Sequence, residues 1–172
     1  MIEKSTTQQV LAVFFENPTQ QFHLRELSRK TKLSLPTILS TTKKLCDEGL
    51  ITKKKSAVLT LVNANNENKQ FIQQKRFFNL EQLYQSGLTY FLTKKYQQPK
   101  TIIIFGSYSR GEDTEKSDID IAIITHKRLE TNLEEYEHKL HRTINIHEID
   151  LNKISQEFKN SLYNGIVVEG QL

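Results

Sequence analysis

Gly106, Ser107, Asp118 and Asp120 are the residues in this chain whose types and spacing point most directly to chemistry. The β-branched and aromatic run Thr101 to Phe105 reads as a buried strand leading straight into Gly106-Ser107-Tyr108-Ser109-Arg110-Gly111. Gly106 permits close backbone approach. Ser107 offers a hydroxyl and an N–H at the start of a helix, where partial positive charge favours a triphosphate, and Arg110 adds countercharge. In SDIDIAII, Asp118 and Asp120 alternate with Ile119, Ile121 and Ile123, so period-two geometry puts both carboxylates on one face. Two acids aimed at one point repel unless a cation lies between them. Mg2+ answers that need, because it takes oxygen ligands and is usually held by one or two carboxylates plus substrate phosphate. Two-metal chemistry often adds a third carboxylate, which should come from another strand. NIHEIDL offers one: Asp150, flanked by Ile149 and Leu151, is the first choice, with Glu148 on the same face in reserve.

These residues need a scaffold, and the surrounding sequence describes one. A charged amphipathic helix is expected near Leu129 to Arg142, and one more helix with a short strand at Ile166 to Val168 after Asn152. Upstream, the apolar residues between Phe71 and Leu92 form two helical pieces from about Gln70 to Tyr96, interrupted at Gly87. The polar stretch NANNENKQ separates these from the first third of the chain. There, Val10, Leu11, Val13, Phe14 and Phe15 mark a helix that ends at Asn17-Pro18, since the residue before proline is pushed out of the helical region. Leu24 and Leu27 mark a short second helix. Ser34 can cap a third, with Pro36 in its first turn where a missing N–H costs nothing. Leu35, Ile38, Leu39, Thr42, Leu45 and Cys46 make its buried stripe, leaving Thr37, Ser40, Thr41, Lys43 and Lys44 outward. Gly49 closes that helix, and LITKKKSAVLTLV reads as two strands joined by a basic tip at Lys53, Lys54 and Lys55.

The series h-h-h-G-S-x(10)-D-I-D-h with a later h-D-h resembles the DNA polymerase beta-type nucleotidyltransferase superfamily over about Thr101 to Leu151, and its length is similar to the minimal branch of that superfamily. The resemblance implies that Ser107 contacts the terminal phosphates of ATP or another NTP, that Asp118 and Asp120 ligate Mg2+, and that Asp150 shares the metal and helps activate an acceptor hydroxyl. The implied reaction is attack on the α-phosphorus with release of pyrophosphate. The implied transfer is of an NMP, AMP first, to a hydroxyl of protein or RNA. Minimal members that modify a partner toxin make an antitoxin-like role a further expectation. The rival expectation is a transcriptional regulator whose domain senses nucleotide without catalysis.

The order helix, short helix, turn, longer helix, glycine, hairpin, with L-R-E-L-S-R-K-T-x-L-S-x-P-T-I, resembles the winged helix-turn-helix family over about residues 5 to 63. The resemblance implies a recognition helix at Ser34 to Glu48 in the major groove of duplex DNA. Thr37, Ser40, Thr41 and Lys44 would read base edges beside Lys43, while Lys53, Lys54 and Lys55 would hold phosphate. A homodimer on a palindromic site is also an expectation.

Composition agrees with two small domains in 172 residues. The net charge is +4, yet ten basic residues face five acidic ones through Asn65, and fourteen face fifteen afterwards. The excess therefore sits in the part expected to meet a polyanion. Hydrophobic residues make up 37%, and no apolar run reaches the roughly 20 residues of a membrane span. The polar start MIEKSTTQQV lacks an export signal, so a cytoplasmic location without membrane contact is expected. The lone Cys46 reads as a small buried hydrophobe. The expected fold class is α+β: a winged helix-turn-helix over 1–65, linker helices over 66–98 and a small mixed-sheet nucleotidyltransferase fold over 99–172.

Overall fold

The computed structural model describes residues 5–55 and 60–171, and the chain divides into two compact units, Met1–Lys75 and Arg76–Leu172. The first holds α1 (Thr6–Glu16), β1 (Gln21–His23), α2 (Leu24–Thr31), α3 (Leu35–Asp47), β2 (Ile51–Lys55) and β3 (Thr60–Ala64). Helix α1 starts in a capping box: Ser5 Oγ accepts from the Gln8 N–H at 3.3 Å while Gln8 Oε1 accepts from the Ser5 N–H at 2.9 Å. At its other end the Asn17 amide donates to the Val13 carbonyl before Pro18. Val10, Phe14, Phe22, Leu27, Ile38, Leu45, Ile51 and Val62 are buried together as the core of this unit, with Phe14 edge-on to Phe22 at 5.6 Å.

Strand β1 had no signal in the sequence. It has three residues and one inward side chain, Phe22, and it exists because β3 pairs with it, giving an antiparallel sheet in the order β1-β3-β2. The face of α3 also differs from expectation. Its buried residues are Ile38, Thr41, Thr42 and Leu45, whereas Leu39 is 46% exposed. Helical phase explains the exchange. At about 100° per residue, Thr41 lies about 40° from Leu45, next to the arc that Ile38, Thr42 and Leu45 define, whereas Leu39 lies about 60° beyond its other edge.

The second unit contains most of α4 (Lys69–Ser86), then α5 (Leu88–Lys95), β4 (Thr101–Phe105), α6 (Gly106–Arg110), β5 (Ile119–Ile124), α7 (Glu134–Leu140), β6 (Ile144–Ile149), α8 (Gln156–Tyr163) and β7 (Ile166–Gly170). Its sheet runs β6-β5-β4-β7. The β5–β6 pair is parallel and the pairs of β4 with β5 and with β7 are antiparallel. Because side chains alternate along each strand, the sheet has two apolar faces. Ile102, Ile104, Ile119, Ile121, Ile123 and Ile144 pack with Leu83, Leu88 and Leu92 of α4 and α5 and with Tyr96 just after α5. Ile103, Phe105, Ala122, Ile124 and Ile149 pack with Leu162 and Phe158 of α8 on the other side. Helix α7 is shorter than the charge pattern implies, beginning only at Glu134. Among the described residues no helix is long and apolar enough to cross a membrane.

Candidate functional site

Strand β4 delivers the chain to α6 through Gly106, whose φ of +74° is open to glycine at little cost. A β-carbon there would come within 2.8 Å of Asp120 Oδ2, so the turn and the carboxylate are in contact. The β4–β5 register explains the meeting: Phe105 pairs directly with Asp120, and the next residue turns over it. Asp118 immediately precedes β5, is exposed, and lies two residues from the half-buried Asp120. Ser107, the second residue of α6, is half-buried beside the turn. Arg110 is exposed, and its Nε donates to Glu112 Oε2 at 2.7 Å, so its countercharge is already engaged.

The loop from α6 to β5 is held from both sides. Ser117 Oγ accepts from the Thr114 N–H at 2.9 Å, winding a tight turn just before Asp118. Asp113, 1% exposed, accepts from Asn79 Nδ2 at 2.7 Å and lies 3.7 Å from the Arg142 guanidinium. The Tyr108 hydroxyl donates to the Asn79 carbonyl, and burial first, then the Asp113 charge, push its ionisation well above the ordinary phenol range. The Ile119 N–H donates to the Thr143 carbonyl at 2.8 Å, which fixes the start of β5 against the start of β6.

That alignment decides what faces the two acids. Asp120 pairs with Asn145 in the parallel ladder, and Ala122 pairs with His147. Asn145 Nδ2 lies 3.2 Å from Asp118 Oδ2 and 3.3 Å from Asp120 Oδ1, donating to both. His147 Nε2 lies 3.5 Å from Asp120 Oδ1, an ion pair when the imidazole is protonated but without hydrogen-bond geometry. The His147 ring packs edge-on to Phe105 at 5.3 Å. Sequence reasoning missed both residues, because neither Asn145 nor His147 is an acid and their partner positions follow from a strand register that the sequence does not print.

Asp150, expected as the third carboxylate, is not at this site. It follows the far end of β6, five positions beyond Asn145, or about 16 Å of strand at roughly 3.3 Å per residue. There it accepts from the Asn152 N–H at 3.0 Å and pairs with Lys153 and His126. The Asn152 N–H first, and then the nearby cations, hold its carboxyl below the ordinary range. It borders a separate pocket of about 460 Å³ with Tyr96, Lys100 and His126. Glu148 fails for a different reason. Its neighbours across the ladder place it on the opposite face from Asp120, where it accepts from the Tyr96 hydroxyl at 2.7 Å and the Leu129 N–H at 2.6 Å. Burial, then the bond to Glu148, raise the Tyr96 hydroxyl to about 12. Among the described residues no group of three His, Cys, Asp or Glu side chains is arranged to hold a metal ion.

In the first unit, Ser40, Lys43 and Lys44 are exposed on α3 and Thr37 is half-buried, bonded through its hydroxyl to Ser34 Oγ at 2.7 Å. Thr41 is 8% exposed and packs inward, so it does not belong to the outward face expected for it. Lys53 and Lys54 are exposed on β2. The side chain of Lys55 and the tip of the hairpin lie outside the described residues.

Comparison with known families agrees with this architecture. Residues 90–172 match the family model described as polymerase beta, nucleotidyltransferase, and residues 6–52 match the model described as winged helix-turn-helix DNA-binding. The chain thus joins a winged helix-turn-helix domain to a nucleotidyltransferase domain of the polymerase beta family. No curated protein matches it. Among solved structures, a possible transcriptional regulator from Methanosarcina mazei Go1 is similar at 18% identity over 48% of this chain and 75% of its own, with a TM-score of 0.37, too distant to inform function.

Proposed function

We propose that the protein is a DNA-binding regulator whose nucleotidyltransferase domain takes an NTP with one magnesium ion at Gly106, Ser107, Asp118 and Asp120. The observation that carries this reading is the side chain opposite Asp120: an amide, Asn145, stands where the neighbouring strand could have placed a third acid. The donor set fits one magnesium ion, since two carboxylates on one face complete an oxygen shell with substrate phosphates and water. When bound, the ion would neutralise and orient the triphosphate. The chain's own contribution is to bring the Gly106 backbone and Ser107 against that tail and to hold both acids on one side of it. The basic first unit supports duplex binding, with Ser40, Lys43 and Lys44 on the exposed face of α3 and Lys53 and Lys54 on the wing.

A second reading, transfer of an NMP such as AMP to a hydroxyl of a protein or RNA, is favoured by the intact contact of Gly106 with Asp120. In that reaction the acceptor oxygen bonds to the α-phosphorus, pyrophosphate leaves, and the hydroxyl proton goes to solvent.

The test uses the full chain, Mg2+ and each α-labelled NTP, with and without cell extract. Label retained on a filter only with Mg2+, absent from D118N/D120N and released by denaturation, supports the regulator. Label covalently attached to a macromolecule replaces it with the transferase, and no retained nucleotide removes both.

A further inference from the structure

The carboxylates of Asp118 and Asp120 are joined by a neutral group of this chain. Asn145 offers two amide hydrogens, and its nitrogen lies 3.2 Å from one acid and 3.3 Å from the other. Donation of this kind eases the repulsion between like charges without adding charge. A side chain that does so works differently from a third carboxylate in the same place. The acid would bring a further negative charge and two more oxygens, which is what a second divalent cation beside the first requires. The amide brings neither.

Among the described residues no group of three His, Cys, Asp or Glu side chains is arranged to hold a cation, so none makes up the difference. Asp150 lies beyond the far end of β6, and Glu148 projects through the other face to Tyr96 and the Leu129 N–H. His147 is near, at 3.5 Å from Asp120 Oδ1, but an imidazole nitrogen suits zinc, copper, iron or nickel, whereas magnesium selects oxygen. Strand β6 therefore presents an amide, and no carboxylate, to the Asp118–Asp120 pair.

We infer that Asn145 sets the cation count of this site at one, the ion that arrives with the nucleotide's phosphates. The place beside it, where a second ion would lower the pKa of an acceptor hydroxyl, takes none. The inference rests on the proposed binding of a nucleotide at Asp118 and Asp120 and adds a residue that determines what happens there. A single substitution, Asn145→Asp, supplies the missing charge from the same backbone position and across the same pair of acids.

The experiment counts Mn2+ on the full chain by electron paramagnetic resonance, with α,β-methylene-ATP as an NTP that cannot be cleaved at the α-phosphorus. The wild type should bind one Mn2+ per bound nucleotide and N145D two, while N145A, neutral and smaller, should stay at one. Two ions in the wild type or in N145A would overturn the inference while leaving nucleotide binding intact, and so would one ion in a folded N145D. Absence of any bound nucleotide from the wild type sinks the underlying reading and this one with it. The wild-type and N145A counts keep the inference falsifiable if N145D loses its circular-dichroism signature.

Discussion

Gly106 and Asp120 are in contact across the β4–β5 ladder: a β-carbon on the glycine would lie 2.8 Å from the Asp120 carboxylate oxygen. The glycine also has a φ of +74°, which an L side chain occupies at a cost of about 1–2 kcal/mol. Gly106→Ala should therefore lower the unfolding free energy by roughly that amount and, by displacing the acid, weaken nucleotide binding at least tenfold. Urea denaturation and equilibrium dialysis with labelled NTP check the two effects. An alanine variant that binds nucleotide like the wild type would show that the carboxylate need not sit against the turn.

Asp150 provides the matching negative prediction. Asp150→Asn should leave the nucleotide dissociation constant within about twofold, because the residue lies beyond the opposite end of β6. Its effect belongs to acid stability. The Asn152 N–H, Lys153 and His126 lower its pKa in the folded chain, so it contributes stability above the ordinary carboxylate value of about 3.9 and loses it as pH falls through the lower folded value. The Asn variant should lose this part of the slope of stability against pH below about 4. A tenfold loss of nucleotide affinity would return Asp150 to the site.

Lys53, Lys54 and Lys55 carry a prediction about the first unit. Replacing all three with Ala should weaken binding to every duplex and flatten the dependence of log K on log salt by about 2 to 3 units, near 0.9 for each lost phosphate contact. Ser40→Ala and Lys44→Ala should instead act on some sequences more than others, and Thr41→Ser, at a buried position of α3, on none. Unchanged affinity and slope in the triple variant would take the wing off the DNA backbone.

The limits of reading this chain from sequence follow from the same geometry. Gly106, Asp118 and Asp120 lie close together in the chain, so strand periodicity and one turn were enough to set the glycine against Asp120 and both acids within reach of one side chain. The third position lies on β6 and depends on how two parallel strands align, which the Ile119 N–H to Thr143 carbonyl bond fixes and no local pattern encodes. A useful clue was available nonetheless. Acids at the start of one strand need a partner near the start of a parallel neighbour, which points to Asn145 and away from Asp150. Thr41 was misplaced on a smaller scale. Hydrophobicity favoured Leu39 for the core, while the phase of Ile38 and Leu45 favoured the threonine, and packing followed phase.

The buried cluster behind the site gives the last prediction. Asp113 joins the loop before Asp118 to Asn79 at 2.7 Å, and Arg142 beside it leads into β6, so one acid links the two chain segments that carry Asp118 and Asn145. Its carboxylate is 1% exposed, and a charge that deep is tolerated only while it is paired and hydrogen-bonded. Removing one partner of such a pair costs about 3–5 kcal/mol, because the charge left behind is buried without compensation. Asp113→Ala, which removes the acid beside the Arg142 guanidinium, should fall in that range by urea denaturation, and Arg142→Lys, which keeps a cation, should cost less. If Asp113→Ala costs under about 1 kcal/mol, the loop is held by other contacts and the alignment of Asp118 with Asn145 does not depend on this cluster.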